Sequence, residues 1–260
     1  QLDYPADRLT VYVGSDGSSD GTANILETYA GERIHAFIFS KNRGKSSVLN
    51  DLVAASSEPI LVFSDANTHF EPSAVKRLVR RFADPSIGGV SGELRLRSAS
   101  GDNQDGLYWR VEQVLKFFES RLGGLLGANG AIYAIRRSLW KPLRSDTICD
   151  DFCIGMSVPA SGSSLVYEPE AWAHEETPPA IADEYRRRIR IGIGNFQALL
   201  RHPEFIFRTR PTVSFAYLSH KVLRWTAPHL LIVGLFASWA LAHRPGWFVF
   251  ALLQTVFYGL

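Results

Sequence analysis

The sequence predicts an α/β fold with a mostly parallel, Rossmann-like sheet, followed by apolar helices that cross a membrane. Three observations carry this expectation. Short β-type runs alternate with amphipathic helical runs from Leu9 to Leu96, with short loops between them. An acidic residue, Asp65, arrives where the apolar strand Ile60 to Phe63 should end, the place where open α/β sheets keep their ligands. From Trp225 onward the chain turns almost wholly apolar, although it is only 46% hydrophobic as a whole.

Leu9 to Val13 is the first strand. It breaks at the Gly/Ser/Asp loop Gly14 to Thr22, and Ile25, Leu26 and Tyr29 then form a helical face. A strand, a loop and a helix start make a natural nucleotide site, with Asp16 placed to accept from a base or ribose hydroxyl; an ordinary capped turn would look similar. His35 to Phe39 is a second strand. Lys41, Arg43 and Lys45 follow at the next strand-to-helix junction, where basic residues suit a diphosphate, and equally a solvated turn. Lys45 is the best placed of them.

After the third strand, Asp65 and Asn67 are two oxygen ligands one spacer apart, which suits a hard divalent cation such as Mg²⁺ or Mn²⁺ shared with substrate phosphates. An Asx turn that bonds its own backbone is the structural alternative. Ser73 to Phe82 reads as a helix and Gly88 to Leu96 as a strand. Ser98 to Asp105 is a polar loop. Leu107, Val111, Val114, Leu115, Phe118 and Leu122 recur at helical spacing, which assigns most of them to the core, with Trp109 and Glu112 on other faces. Gly127 and Asn129, in a glycine-rich turn before the strand Ala131 to Ile135, mark a close approach to backbone.

Asp150 and Asp151 are adjacent carboxylates. Repulsion between them favours one raised pKa and a general base, and a helix start explains them as well. Leu165 to Tyr167 is a last strand. Arg186, Arg187, Arg188 and Arg190 crowd one helix, with Arg187 and Arg190 on one face, a pattern suited to phosphate, to acidic lipid headgroups or to Glu175 and Glu176.

Phe215 to Leu223 reads as an interfacial helix. Trp225 to Ala242 reads as a first membrane span, His243 to Gly246 as a turn, and Trp247 to Leu260 as a second span, with one buried hairpin of a soluble protein as the alternative. Lys221 and Arg224 then set the preceding residues on the cytoplasmic side of a bacterial inner membrane. The net charge of +2 is too small to argue for a nucleic-acid binder, and the two cysteines give no disulfide framework. A first residue other than Met, a loop-like start and an apolar end read as a chain lacking segments at both ends.

In order, these motifs resemble the family 2 glycosyltransferases of the inverting GT-A type. Val13 to Thr22 looks like that family's VVDDGSTDGT loop, and Asn42 to Asn50 like its N-x-GK stretch. Asp65-Ala66-Asn67 sits at its DxD position, Asp150-Asp151 at its ED position, and Arg187 to Ile191 at its QxxRW position. The resemblance implies a nucleotide-diphosphate sugar donor, a divalent metal and direct displacement with inversion. By position, Asp16 would contact the nucleoside, with Lys45, Arg187 and Arg190 also in the donor site. Asp65 and Asn67 would hold the metal, Asp151 would be the base, and Arg190 would meet the leaving diphosphate. Asp150, Gly127 and Asn129 would support the acceptor.

Ser15, Asn67, Arg187 and Ile191 depart from the family pattern. The missing Trp at Ile191 argues against a processive synthase and for transfer of few sugars to a lipid-linked or membrane-proximal glycan acceptor. The expected catalytic domain is 1–212, without its first strand, and 213–260 holds the interfacial helix and membrane hairpin. Two alternatives stand: a dinucleotide-binding domain, which lacks its glycine fingerprint here, and a degenerate transferase acting as a nucleotide-sugar sensor or membrane scaffold.

Overall fold

The computed structural model describes residues 2–97, 107–121, 123, 125–176 and 181–259. The loop expected over 98–105 lies outside them. The described chain divides into two compact units, Gln1–Ala216 and Tyr217–Leu260.

In the first unit, strand β1 (Val11–Asp16) pairs in parallel with β2 (Ile34–Phe39), and helix α1 (Thr22–Tyr29) connects them. Helix α2 (Lys45–Ala55) packs on β1. A Cβ at Gly14 would fall 2.3 Å from Val48 Cγ1, so that contact requires glycine. A separate five-stranded sheet contains β3 (Ile60–Phe63), β4 (His69–Phe70), β5 (Ile87–Arg97), β6 (Tyr133–Arg136) and β7 (Ser164–Glu176) in the order β3-β6-β5-β7-β4.

The sheet is mixed, which corrects the expectation of a mostly parallel one. β6 runs antiparallel to both β3 and β5, and β4 antiparallel to β7, leaving β5–β7 as the one parallel pair in this sheet. The alternation of strands and helices up to Leu96 did imply crossovers. What it could not show is that β6, from later in the chain, inserts between β3 and β5.

Each strand sends alternate side chains to opposite faces. Leu61, Phe63, Tyr133 and Ile135 build one core with Ile154 and Leu165. Val90, Ile132 and Ala134 build the other with Leu78 of α3 (Ala74–Arg80). Burying each large apolar side chain stabilises the fold by about 1.5–3 kcal/mol.

Helix α4 (Leu107–Arg121) reverses its expected orientation. Val111, Val114 and Phe118 are exposed, and Glu112 is buried. The apolar spacing does mark one helix face, but Val111, Val114, Leu115 and Phe118 on it point outward. The polar stripe turns in, where the half-buried Lys116 lies near Glu112, Glu119, Glu93 and Asp151, and desolvation pushes its amine down.

Helix α5 (Asp150–Ala160) packs under the sheet, and α6 (Ile181–Arg201), α7 (Glu204–Phe207) and α8 (Pro211–Ala216) complete this unit.

The second unit opens with a π-helical stretch, Tyr217–Val222, and continues as α9 (Leu223–Ala240) and α10 (Trp247–Gly259). The expected membrane-spanning hairpin is corrected here: no described helix is long and apolar enough to cross a membrane. α9 carries Arg224, Pro228 and His229 in its first half and is strongly apolar only from Leu230 onward. α10 has 13 residues, about 20 Å at 1.5 Å per residue, against a hydrocarbon core of about 30 Å. Both helices expose large apolar side chains, among them Val233, Phe236, Leu253 and Phe257.

Candidate active site

The site is assembled from three chain segments around one ammonium group. Lys45 is the first residue of α2. Its Nζ lies 2.7 Å from Asp65 Oδ1, just past the end of β3, and 3.2 Å from Asp150 Oδ2, at the start of α5. Burial pushes the Lys45 amine down, but Asp150 and Asp65 outweigh it and hold the amine above its usual value. The turn after β3 is closed by the backbone, Thr68 N–H donating to Asp65 C=O at 3.2 Å. The Asp65 carboxylate is thus directed at Lys45 rather than used in an Asx turn. Asn67 is exposed in the same turn.

Asp151 follows Asp150 in the first turn of α5, where the helix dipole favours carboxylates. Its Oδ1 accepts the Phe152 N–H at 2.8 Å. Burial, with the Asp150 charge beside it, pushes the Asp151 carboxyl up to about 6. Tyr133 lies fully buried among the same carboxylates. Its phenol is pushed well above its ordinary value by burial, with Asp150, Asp151 and Asp65 adding to the effect.

The loops that hold these groups are braced from behind. Asp16 uses both carboxylate oxygens on backbone, accepting from Arg43 N–H and Gly44 N–H at 2.8 Å each. That fixes the turn from which Lys45 projects. Gly44 has φ +86°, in the left-handed region that favours glycine. Asn50, one helical face along α2, donates to Leu143 C=O and accepts from Leu143 N–H, both at 2.8 Å. Ser46 Oγ donates to Thr147 C=O at 3.0 Å. These bonds tie α2 to the segment that leads into α5.

Gly127, at φ +81°, packs against the Phe152 ring, and Asn129 donates its N–H to Ser91 Oγ at 3.0 Å. Gly127 thus backs α5, while Asn129 is tied through its backbone to β5.

The arginines stand apart. Arg187 and Arg190 are exposed on α6, and Arg187 pairs with Glu184 of its own helix at 3.2 Å. α6 nevertheless docks beside the acidic turn, since a Cβ at Gly194 would fall 2.4 Å from Cys149 Sγ. Burial pushes the Cys149 thiol up to about 11, Asp151 and Asp150 add to this, and the nearby Arg190 partly offsets them. Asp16, Lys45, Asp65, Asp150 and Asp151 are thus brought into one neighbourhood, with Arg190 at its margin. Asn50, Gly130 and Tyr133 were not singled out from the sequence. Asn50 closes the N-x-GK stretch, and Tyr133 sits on a strand that looked like plain core.

A divalent cation suits this donor set. Two carboxylates already converge on one positive charge, and hard oxygen donors are what Mg²⁺ and Mn²⁺ take. Among the described residues no group of three or more His, Cys, Asp or Glu is placed to hold a metal. Substrate oxygens would complete the shell.

An α/β sheet that gathers aspartates at its edge beside a basic helix start defines a nucleotide-diphospho-sugar transferase fold of the GT-A type. The chain belongs to glycosyl transferase family 2, whose family profile matches residues 1–142. Among curated relatives, poly-beta-1,6-N-acetyl-D-glucosamine synthase of Staphylococcus epidermidis is 25% identical over 241 residues, 89% of this chain and 58% of that protein. The Staphylococcus aureus (strain COL) protein of that name is 26% identical over 222 residues, 80% of this chain and 52% of that protein. The chain spans little more than half the length of these relatives.

Among solved structures, mannosyltransferase PcManGT from Pyrobaculum calidifontis, in complex with GDP-Man and Mn²⁺, superposes with a TM-score of 0.69 at 23% identity, over 98% of this chain and 77% of that one. The S. aureus TarS fragment in complex with UDP-GlcNAc gives 0.54 at 14% identity, over 88% and 72%. Both likenesses speak to the fold.

Proposed function

We propose that this protein transfers a sugar from a nucleotide-diphosphate donor to an acceptor hydroxyl, with inversion at the anomeric carbon. The observation that carries the reading is the convergence of Asp65, Asp150 and Lys45, one residue away from Asp151 with its raised pKa. Such a site can hold a diphosphate on one side and a base on the other.

In this reading residues 1–212 are the catalytic domain. Asp151 accepts the proton of the acceptor hydroxyl while that oxygen attacks the anomeric carbon from the face opposite the diphosphate. The bond to the diphosphate breaks, and Lys45 and Arg190 meet the charge that develops on it. Arg187 extends the same basic face, and Asp16 keeps the turn that carries Lys45 in place beside the nucleoside. Asp65, Asn67 and Asp150 would hold Mg²⁺ or Mn²⁺, which when bound offsets the diphosphate charge. The Asn129 to Gly130 turn borders the acceptor side. The names and bound ligands of the similar proteins support a nucleotide-sugar donor of this class.

The acceptor we propose is a lipid-linked or cell-envelope glycan presented at the cytoplasmic face of a bacterial inner membrane. The outward apolar face of α4 supports this, as do the exposed apolar residues of the second unit, with Lys221 and Arg224 adding charge suited to anionic headgroups. Residues 213–260 then lie against the membrane surface.

The test is a panel of nucleotide sugars, with and without Mn²⁺, on the protein and its Asp151→Asn variant. Metal-dependent release of nucleoside diphosphate that the variant lacks is the expected result. Binding of a donor without turnover, unchanged in the variant, would replace this reading with that of a nucleotide-sugar sensor.

A further inference from the structure

Lys45 lies between two of the carboxylates that the reading above gives to a divalent ion. Its Nζ is shared between Asp65 Oδ1 at 2.7 Å and Asp150 Oδ2 at 3.2 Å. The same amine is half-exposed, with 51% of its side chain open to solvent, and it sits on the first turn of α2. A single ammonium thus balances two carboxylates that would otherwise repel each other and Asp151. A divalent ion brought into the gap would meet that ammonium head-on.

We propose that Lys45 is a latch on the donor site. It fills the cation position while no donor is bound, and yields it only when a nucleoside diphosphate arrives to take the ammonium in exchange. This rests on the reading above, in which Asp65 and Asp150 face the metal and the donor diphosphate. The diphosphate gives Lys45 a new anionic partner at the N-terminus of α2, where the helix dipole also favours negative charge. A lysine suits the exchange because its charge rides on a flexible stem, whereas a guanidinium fork would hold both carboxylates in fixed geometry. Metal and nucleotide then bind cooperatively, each raising the affinity for the other by the same factor. Lys45 is a positioning residue in the donor-free state and a diphosphate partner afterwards.

Mn²⁺ binding, read from the electron paramagnetic resonance signal of the free ion, tests this without turnover. Wild-type protein is titrated with Mn²⁺ alone, with UDP and with GDP, beside Lys45→Gln, Lys45→Arg and Asp65→Asn. The wild type should bind Mn²⁺ alone weakly and more tightly with one of the nucleotides. Lys45→Gln should bind Mn²⁺ alone about fivefold more tightly, the scale of a partly exposed ion pair, and should lose most of the coupling. Lys45→Arg should bind Mn²⁺ poorly even with nucleotide.

Lys45→Gln with Mn²⁺ affinity no higher than wild type overturns the latch. Full Mn²⁺ affinity in Asp65→Asn, with nucleotide present, overturns the underlying metal assignment instead. If Lys45→Gln does not fold, the wild type decides: Mn²⁺ binding that UDP and GDP leave unchanged overturns the latch.

Discussion

The carboxylate of Asp151 faces Gly130 across a gap with no room for a methyl group: a Cβ at position 130 would fall 2.8 Å from Asp151 Oδ2. The proposed base is thus approached over bare backbone. Gly130→Ala should push the carboxylate out of line, since contacts this short force a shift of one partner. We expect transfer to fall by about 10²-fold, the scale of a base misplaced by an ångström, with donor binding kept. Isothermal titration with nucleoside diphosphate, beside turnover of the same preparations, checks this. Equal loss of binding and turnover would place Gly130 elsewhere in the mechanism.

Asp151→Asn should lower turnover by about 10²–10⁴-fold, the usual contribution of a general base. The wild-type kcat/KM should rise with pH through an acid limb near 6, because the carboxyl is held at about 6 and acts when deprotonated. The same shift works against stability. Between the ordinary carboxyl range and about 6 the folded state holds a proton that the unfolded chain has lost, so stability falls as pH rises through that window. Asp151→Asn should lack that slope and be more stable at pH 8, by on the order of 3 kcal/mol. Urea melts of both proteins at pH 5 and pH 8 measure the difference.

Asn50→Ala should loosen the segment that leads into α5. The substitution leaves Leu143 N–H and C=O without their side-chain partner, which costs about 1–3 kcal/mol for groups kept from water. Donor affinity should weaken as well, since Lys45 and Asp150 are held in register through this clamp. Hydrogen exchange at 141–149 should speed up in the variant. Unchanged exchange there would show that other bonds hold the segment.

Gly194→Val should lift α6 from the acidic turn, because a Cβ alone would fall 2.4 Å from Cys149 Sγ and 3.0 Å from Ile148 Cγ2. Overpacking of this kind costs about 1–3 kcal/mol. If Arg190 meets the diphosphate, the variant should also lose nucleoside-diphosphate affinity, as Arg190→Ala does. A variant that is destabilised but binds UDP and GDP like wild type would separate α6 docking from the donor site.

Much of this chain was legible as sequence because the signals are local. The turn after β3 follows from an apolar run that ends at Asp65, and the starts of α2 and α5 follow from Gly44-Lys45 and from Asp150-Asp151. Those motifs keep their order along the chain, so the family resemblance needed no distances. α4 shows the limit of such reading. Spacing identifies an apolar face but not which way it points, because the protein's own core and a membrane or partner surface leave the same periodicity in the sequence. The C-terminal helices show it again: hydrophobic character is visible in the residues, while the length of an uninterrupted apolar helix depends on where each helix starts and stops.

The sequence by itself determined which residues carry charge, where each strand hands over to a loop, and which acidic residues stand at those junctions. Only the tertiary structure decided that Lys45, Asp65 and Asp150 share one point, that Tyr133 lies beneath them, and that Asp16 braces the turn behind Lys45. The reason is sheet order. β6 inserts antiparallel beside β3, and a hydrogen-bonded register such as Phe63 opposite Tyr133 joins positions far apart in the chain. That pairing is set by how both core faces fill, and no local run of residues encodes it.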